Sequence, residues 1–337
     1  MERAVASNIA VIGGGSWGTT VASLISRTSS VTLWARDSAT VEDINHNHRN
    51  RGYLGDLALN PKLRATHDIR EAIAGADAVI MGVPSNAFRD VLQGIANDLP
   101  AGVPLISLTK GLERGTRLRM TEVCQQLAPN RPVGVLTGPN LAKEILAGQA
   151  AASVLAMDTP EPQSWLQPLL NVGLFRVYTN PDYVGCELGG VFKNIIAIAV
   201  GMGDGLGAGD NTRAALITRG LAEMTRLGTA LGGRPETFAG LAGMGDMIAT
   251  CTSPQSRNRH VGIELAKGRS IDDIIDSMHM VAEGVKSAPT IMELAKLHGL
   301  DMPITTDVYK VVTGEANART VYRGLLRTPA AAESEPG

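Results

Sequence analysis

The sequence predicts an α/β protein: a doubly wound, mainly parallel sheet in the N-terminal half, followed by an all-α C-terminal domain. Three observations predict it. Short apolar runs alternate with helix-like segments up to about Tyr183. The earlier runs are almost continuously apolar, as strands covered on both faces are. Beyond Tyr183 the strand signal fades, and apolar residues recur at spacings of three and four.

In chain order, strands are expected at Asn8–Ile12, Val31–Trp34, Ala78–Val83, Pro104–Thr109, Val133–Thr137, Ala151–Met157 and Phe175–Thr179. The segments between them imply βαβ units and hence parallel pairing. Helices are expected at Ala214–Leu231 and Gly284–Gly299. The domain limits follow as 1–182 for the α/β domain and 183–326 for the helical domain. Residues 327–337 (RTPAAAESEPG) are small, polar and proline-bearing, and are expected to be a disordered tail. No repeat of fixed period is present.

The 337 residues allow about two domains, and a composition 44% apolar and 19% charged suits a large buried core. A net charge of −2 gives no sign of a nucleic-acid partner or an anionic membrane. Cys124, Cys186 and Cys251 are widely spaced and fit neither a disulfide framework nor a zinc site. They are read as reduced, mostly buried thiols. An apolar run begins within about eight residues of the N-terminus, which leaves no room for a signal peptide. No apolar run is expected to approach the roughly 20 residues that span a bilayer. These features together predict a cytoplasmic protein without membrane insertion.

IAVIGGGSWGTTVASLI places Gly13, Gly15 and Gly18 in a G-x-G-x-x-G pattern between the first strand and a helix. That spacing gives a tight turn, lets the backbone approach a pyrophosphate, and brings strand and helix close together. It marks the N-terminal domain as Rossmann-type. Gly14, Ser16 and Gly18 also match the G-x-S-x-G nucleophile elbow, which would need several strands before it and a triad after it. The second strand ends in WARD, where an acidic residue would read a ribose 2′-hydroxyl and an arginine a 2′-phosphate. Arg36 and Asp37 both qualify by spacing; Asp37 also suits a helix N-cap. Arg36 is favoured as the 2′-phosphate partner, and so NADP(H) over NAD(H).

GGVFKNIIAIAVG (Gly189–Gly201) carries one charged residue, Lys193, beside Asn194 in an otherwise apolar run. A buried ammonium is costly unless it is paired or gives up its proton. It is therefore a structural ion-pair partner, a snorkelling side chain, or a group that handles a proton. HNHRNRGYL (His46–Leu54) lacks metal-ligand spacing and reads as a loop over the cofactor cleft. Met244, Met247, Met278, Met280 and Met292 read as helix-core fillers. TGPNLAKE is expected to start a helix with its proline in the first turn, with Lys143 and Glu144 on an exposed face.

GGGSWGT, VPSNAF, TKGLE, TGPNLAKE, LGGVFKNIIAIAVGMGDGLG, RAALITRGLAEM, GLAGMGDMIATCTSPQSRNR and VAEGV together resemble the bacterial NAD(P)-dependent sn-glycerol-3-phosphate dehydrogenase family, from about Asn8 to about Gly324. The resemblance implies a Rossmann domain and a helical domain with substrate and nicotinamide between them. It puts Ser16, Trp17 and Arg36 on cofactor-binding positions and Lys110 on one that meets both cofactor and substrate. Gly138 and Asn140 fall on substrate positions and Ala142 on a cofactor position. Lys193 matches the catalytic proton acceptor. Asp246, Ser256, Arg257 and Asn258 match substrate positions, Arg257 also lying near the cofactor; Val281 and Glu283 match cofactor-contacting positions. Many members have Ser or Thr where this chain has Asn140, and His where it has Asn86.

The activity so implied is reversible NAD(P)H-dependent reduction of dihydroxyacetone phosphate to sn-glycerol 3-phosphate, feeding glycerophospholipid synthesis. Lys193 would move the proton. The SRNR segment would grip the phosphate, Arg257 through its planar fork. Asp246 would orient the substrate hydroxyls or Lys193. No metal is expected, and a homodimer is. The rival expectations are another two-domain hydroxyacid dehydrogenase and a non-catalytic NADP(H) sensor.

Overall fold

Eight strands in the order β3-β2-β1-β4-β5-β6-β7-β8 form one sheet. They are β1 (Asn8–Ile12), β2 (Ser30–Trp34), β3 (Arg64–Thr66), β4 (Ala78–Met81), β5 (Leu105–Ser107), β6 (Val133–Thr137), β7 (Ala151–Met157) and β8 (Phe175–Asn180). The computed structural model describes residues 7–278 and 282–325, with side chains up to Tyr322; the tail 327–337 lies outside the described residues. The chain divides into two compact units. The first holds the residues up to Thr109 and Leu118–Tyr183; the second holds Lys110–Arg117 and the residues from Val184 onward.

In the first unit β1 to β6 pair in parallel, β7 runs antiparallel to β6, and β8 pairs in parallel with β7. The alternation of side chains along β1 explains its uninterrupted apolar sequence. Ile9 and Val11 enter one apolar cluster, whereas Ala10 and Ile12 enter the cluster on the opposite face. The strand order reverses between β1 and β4. In open α/β sheets ligands bind outside the carboxyl ends of the strands at such a point.

All seven expected strands are present, with β1, β6 and β7 at the expected limits. The sequence pattern did not show β3. It has three residues, Arg-Ala-Thr, and lies at the sheet edge, so it has no apolar run to betray it. The segment His46–Leu54 is also more ordered than the expected loop. His46 and Asn47 end the helix α2 (Ser38–Asn47), and Arg51–Leu54 form a short helix, α3. Helix Ala142–Leu146 starts after Leu141, so Pro139 stands ahead of the helix rather than in its first turn.

The second unit is helical and has no strand among the described residues. The expected helices appear at Asp210–Ala230 and Glu283–Leu297. Its central helix, Tyr183–Gly205, has 23 residues and is buried from Gly185 to Gly203. By length and composition it could cross a membrane, contrary to the expectation that no run is long enough; here its apolar sides are spent on the core. Glycines let a second helix, Arg257–Ala266, touch its backbone. A Cβ on Gly201 would lie 2.1 Å from Arg259 O, and one on Gly262 the same 2.1 Å from Ile198 O. Of the methionines expected in helix cores, Met247 and Met292 are buried and Met278 is partly buried, but Met244 is 38% exposed. It sits on a π-turn that aims it outward. Met280 lies outside the described residues.

Candidate active site

In the first unit, β1 runs into a turn that opens helix α1 (Ser16–Ile25). Gly13 has φ +128°, and a Cβ there would stand 2.6 Å from Gly82 O, so only glycine fits. A Cβ on Gly18 would come within 2.1 Å of Gly13 O, which seats α1 directly on the turn. Gly15 is different. Its backbone is extended, and a Cβ there would meet no atom within 4 Å. The N-cap of α1, Gly15, has no side chain with which to cap the helix. Open space beside N–H groups that have no partner within the helix fits an anion such as a dinucleotide pyrophosphate.

The other first-unit candidates lie on this turn or at the carboxyl edge of the same sheet. Ser16 donates to Tyr53 O at 3.3 Å. Trp17 meets Phe175 edge-on, with centroids 6.0 Å apart, and its indole N–H is buried without a partner among the described residues. Past the end of β2, Arg36 is exposed. Asp37 caps α2, accepting from Thr40 N at 2.9 Å and Thr40 Oγ1 at 2.7 Å. The Thr40 hydroxyl, followed by its backbone N–H, holds the Asp37 carboxyl below its ordinary range. Beyond β6, Gly138 adopts φ +127°. The carboxamide oxygen of Asn140 accepts from the Ser153 hydroxyl, while its Nδ2 is buried without a partner among the described residues. Ala142 begins the following short helix.

The second unit answers why an apolar helix carries a lysine. Lys193 is only 7% exposed. A π-turn, Leu241–Gly245, leads into the short helix Asp246–Thr252 and sets Asp246, itself 1% exposed, against it. Asp246 Oδ1 accepts from Lys193 Nζ at 2.6 Å, and Oδ2 accepts from Lys110 Nζ at 2.5 Å. Lys193 Nζ also donates to Thr250 Oγ1 at 2.7 Å; the Thr250 hydroxyl in turn donates to Asp246 O at 2.7 Å. An ammonium has three N–H donors; among the described residues Lys193 gives two of them to Asp246 and Thr250, and the third can meet a ligand oxygen.

Two lysines share one carboxylate, so the cluster keeps a positive charge in a desolvated place. Burial pushes the Lys110 ammonium down to about 8; Asp246 opposes this and Lys193 adds to it. Burial likewise pushes the Cys251 thiol up to about 12, so this neighbour is an inert filler.

Asn194 ties the cluster to its surroundings. Its Nδ2 donates to Lys110 O at 3.2 Å, and its Oδ1 accepts from Asn258 Nδ2 at 2.9 Å. Asn258 Oδ1 then accepts from Gly284 N at 3.0 Å. Ser256 caps the helix Arg257–Ala266 by accepting from Arg259 N at 3.2 Å. Arg257 stands exposed at the first position of that helix, while Arg259 Nε donates to Asp204 Oδ2 at 2.7 Å. Glu283 opens the helix that carries Gly284. Val281 lies outside the described residues.

Lys110, Lys193 and Asp246 are thus in direct contact, and Asn258 reaches them through Asn194. Thr250 was missed by the sequence reading, although its signal is there. In DMIAT it follows Asp246 by four residues, one helical turn, and so shares its face. Among the described residues no three His, Cys, Asp or Glu are grouped to hold a metal ion.

A doubly wound sheet with an open glycine turn, joined in one chain to a helical unit with a buried lysine–carboxylate cluster, defines a pyridine-nucleotide-dependent oxidoreductase. The chain belongs to the NAD-dependent glycerol-3-phosphate dehydrogenase family: residues 8–162 match its N-terminal part and residues 182–323 its C-terminal part. It is 63% identical over 98% of its length to glycerol-3-phosphate dehydrogenase (NAD(P)+) 2 of Sphingopyxis alaskensis, covering 99% of that protein. It is 53% identical to glycerol-3-phosphate dehydrogenase (NAD(P)+) of Mycobacterium avium, over 94% of each chain. The crystal structure of glycerol-3-phosphate dehydrogenase from Coxiella burnetii superposes with a TM-score of 0.91 at 36% identity, over 96% of this chain and 99% of that one.

Proposed function

We propose that this chain catalyses the reversible, NAD(P)H-dependent reduction of dihydroxyacetone phosphate to sn-glycerol 3-phosphate, supplying the glycerophospholipid backbone. The observation that carries this reading is the Lys193–Asp246–Lys110 cluster, which offers a proton and a positive charge in a dry setting. Gly13, Gly15, Ser16, Trp17 and Gly18 would hold the dinucleotide, joined by Ala142, Val281 and Glu283, with Arg36 meeting a 2′-phosphate and so favouring NADP(H). The nicotinamide, when bound, supplies hydride to the ketone carbon or takes it back.

Lys193 directs its remaining N–H to the ketone oxygen, stabilises the charge that develops there, and delivers the proton. In the reverse direction the neutral amine takes the hydroxyl proton. Asp246 and Thr250 fix the lysine and keep its orientation through the transfer. Lys110 adds a second cation near substrate and cofactor. Arg257, with Ser256, Asn258 and the first-turn N–H groups of their helix, grips the phosphate; Gly138 and Asn140 line the substrate. The enzyme would act in the cytoplasm as a homodimer.

The test is absorbance at 340 nm with dihydroxyacetone phosphate and either NADPH or NADH. Oxidation that vanishes with unphosphorylated dihydroxyacetone supports the reading. Absence of oxidation by a protein that binds the dinucleotide would refute it.

A further inference from the structure

Asn50 is the N-cap of the short helix α3, and asparagine favours that position because its side chain can accept from the first-turn N–H groups. Here the side chain makes no such bond. It is instead turned to a part of the chain 36 residues away. Asn50 Nδ2 donates to Gly14 O at 2.8 Å and to Thr19 Oγ1 at 2.9 Å. Asn50 is 1% exposed, so both donors are used in a place water does not reach.

Gly14 is the middle residue of the glycine turn, and Thr19 lies in the first turns of α1. Gly14 itself leaves no slack on its other side, since a Cβ there would stand 2.6 Å from the Ala35 Cβ. A second contact runs the opposite way, from Ser16 Oγ to Tyr53 O at 3.3 Å. A third, from Asn60 N to Ser23 Oγ at 2.9 Å, fastens the chain beyond α3 to α1. The segment is thus latched along α1, and Asn50 is its buried contact with the turn.

We propose that Asn50 is a positioning residue for dinucleotide binding. By holding Gly14 O and Thr19 Oγ1 together it fixes the peptide orientation in which the turn and the N-terminus of α1 receive the pyrophosphate. This rests on the reading of the glycine turn as the dinucleotide site. The chemistry is that of a donor: the carbonyl is drawn toward the protein, away from an incoming anion it would repel. A backbone that must reorganise on binding loses affinity without losing any direct contact.

The experiment is titration of the substrate-free protein with NADPH, followed by quenching of tryptophan fluorescence. Asn50→Asp keeps the side-chain shape but removes both donors; Asn50→Ala removes the group altogether. Both should raise the Kd for NADPH about tenfold or more, while KM for dihydroxyacetone phosphate and kcat at saturating NADPH stay within about twofold. Thr19→Val removes one of the two acceptors but leaves the bond to Gly14, and should raise the Kd by a smaller factor than Asn50→Ala does. A folded Asn50→Asp or Asn50→Ala protein with the wild-type Kd would overturn the proposal. So would a loss confined to thermal stability with binding unchanged, which is the mark of a merely structural residue. Failure of the wild-type protein to bind either NADPH or NADH would instead overturn the dinucleotide reading itself, and this inference with it.

Discussion

Lys193 and Asp246 stand 53 positions apart and meet at 2.6 Å, with 7% and 1% of their surfaces exposed. A buried ion pair is weak evidence for stability, because both partners must be desolvated. This pair has a further feature that a structural bridge does not need: its carboxylate is shared with Lys110 at 2.5 Å. Two cations on one anion leave positive charge available to a ligand.

Lys110 should leave a signature in the pH dependence of stability. Its folded-state value of about 8 lies below the ordinary 10.5. Between these values the unfolded chain binds more protons than the folded one, so stability rises with pH in that window. The contribution is flat below about pH 8 and above about 10.5, and its slope is at most about 1.4 kcal/mol per pH unit for one proton. Urea unfolding on either side of pH 8 should show wild type gaining on Lys110→Met as pH rises; parallel curves would contradict the assignment.

Two glycines of one motif should fail in different ways. A Cβ at Gly15 meets nothing within 4 Å and its φ of −73° suits any residue. Gly15→Ala should keep stability within about 0.5 kcal/mol but raise the Kd for NADPH about tenfold, or about 1.4 kcal/mol. At Gly18 the Cβ would sit 2.1 Å from Gly13 O. Gly18→Ala should cost about 1–3 kcal/mol of stability. Thermal unfolding with NADPH titration of both variants separates the two.

The two arginines of SRNR should also part. Arg257 is exposed at a helix start, whereas Arg259 is held by Asp204 at 2.7 Å. Arg257→Lys loses a bidentate fork and should raise KM for dihydroxyacetone phosphate about tenfold. Arg259→Ala should lower stability by about 1 kcal/mol, since it frees Asp204 Oδ2 while Arg213 still holds Oδ1 at 2.8 Å. Steady-state kinetics and denaturant curves on the pair test this.

Much of the first unit was legible because its strands are continuous apolar runs punctuated by glycine turns. Asn8–Ile12, Val133–Thr137 and Ala151–Met157 show their limits in sequence. The edge strand Arg64–Thr66 was not, since pairing with one neighbour needs no apolar run. Lys193 was visible as an anomaly, a charge in an apolar helix. Its partners were harder to see. Lys110 belongs with the second unit although it follows a strand of the first, and Thr250 becomes a partner only once Asp246 is known to start a helix. Asn50 was hidden for another reason. Its sequence neighbours suggest a loop, and only the folded chain brings it to Gly14.

Lys193→Ala, assayed for turnover of dihydroxyacetone phosphate and, separately, for NADPH binding, tests the proton-transfer role proposed for Lys193. If Lys193 moves the proton, its loss should lower kcat by about a thousandfold and leave the Kd for NADPH within about twofold. Turnover near that of wild type would contradict the account.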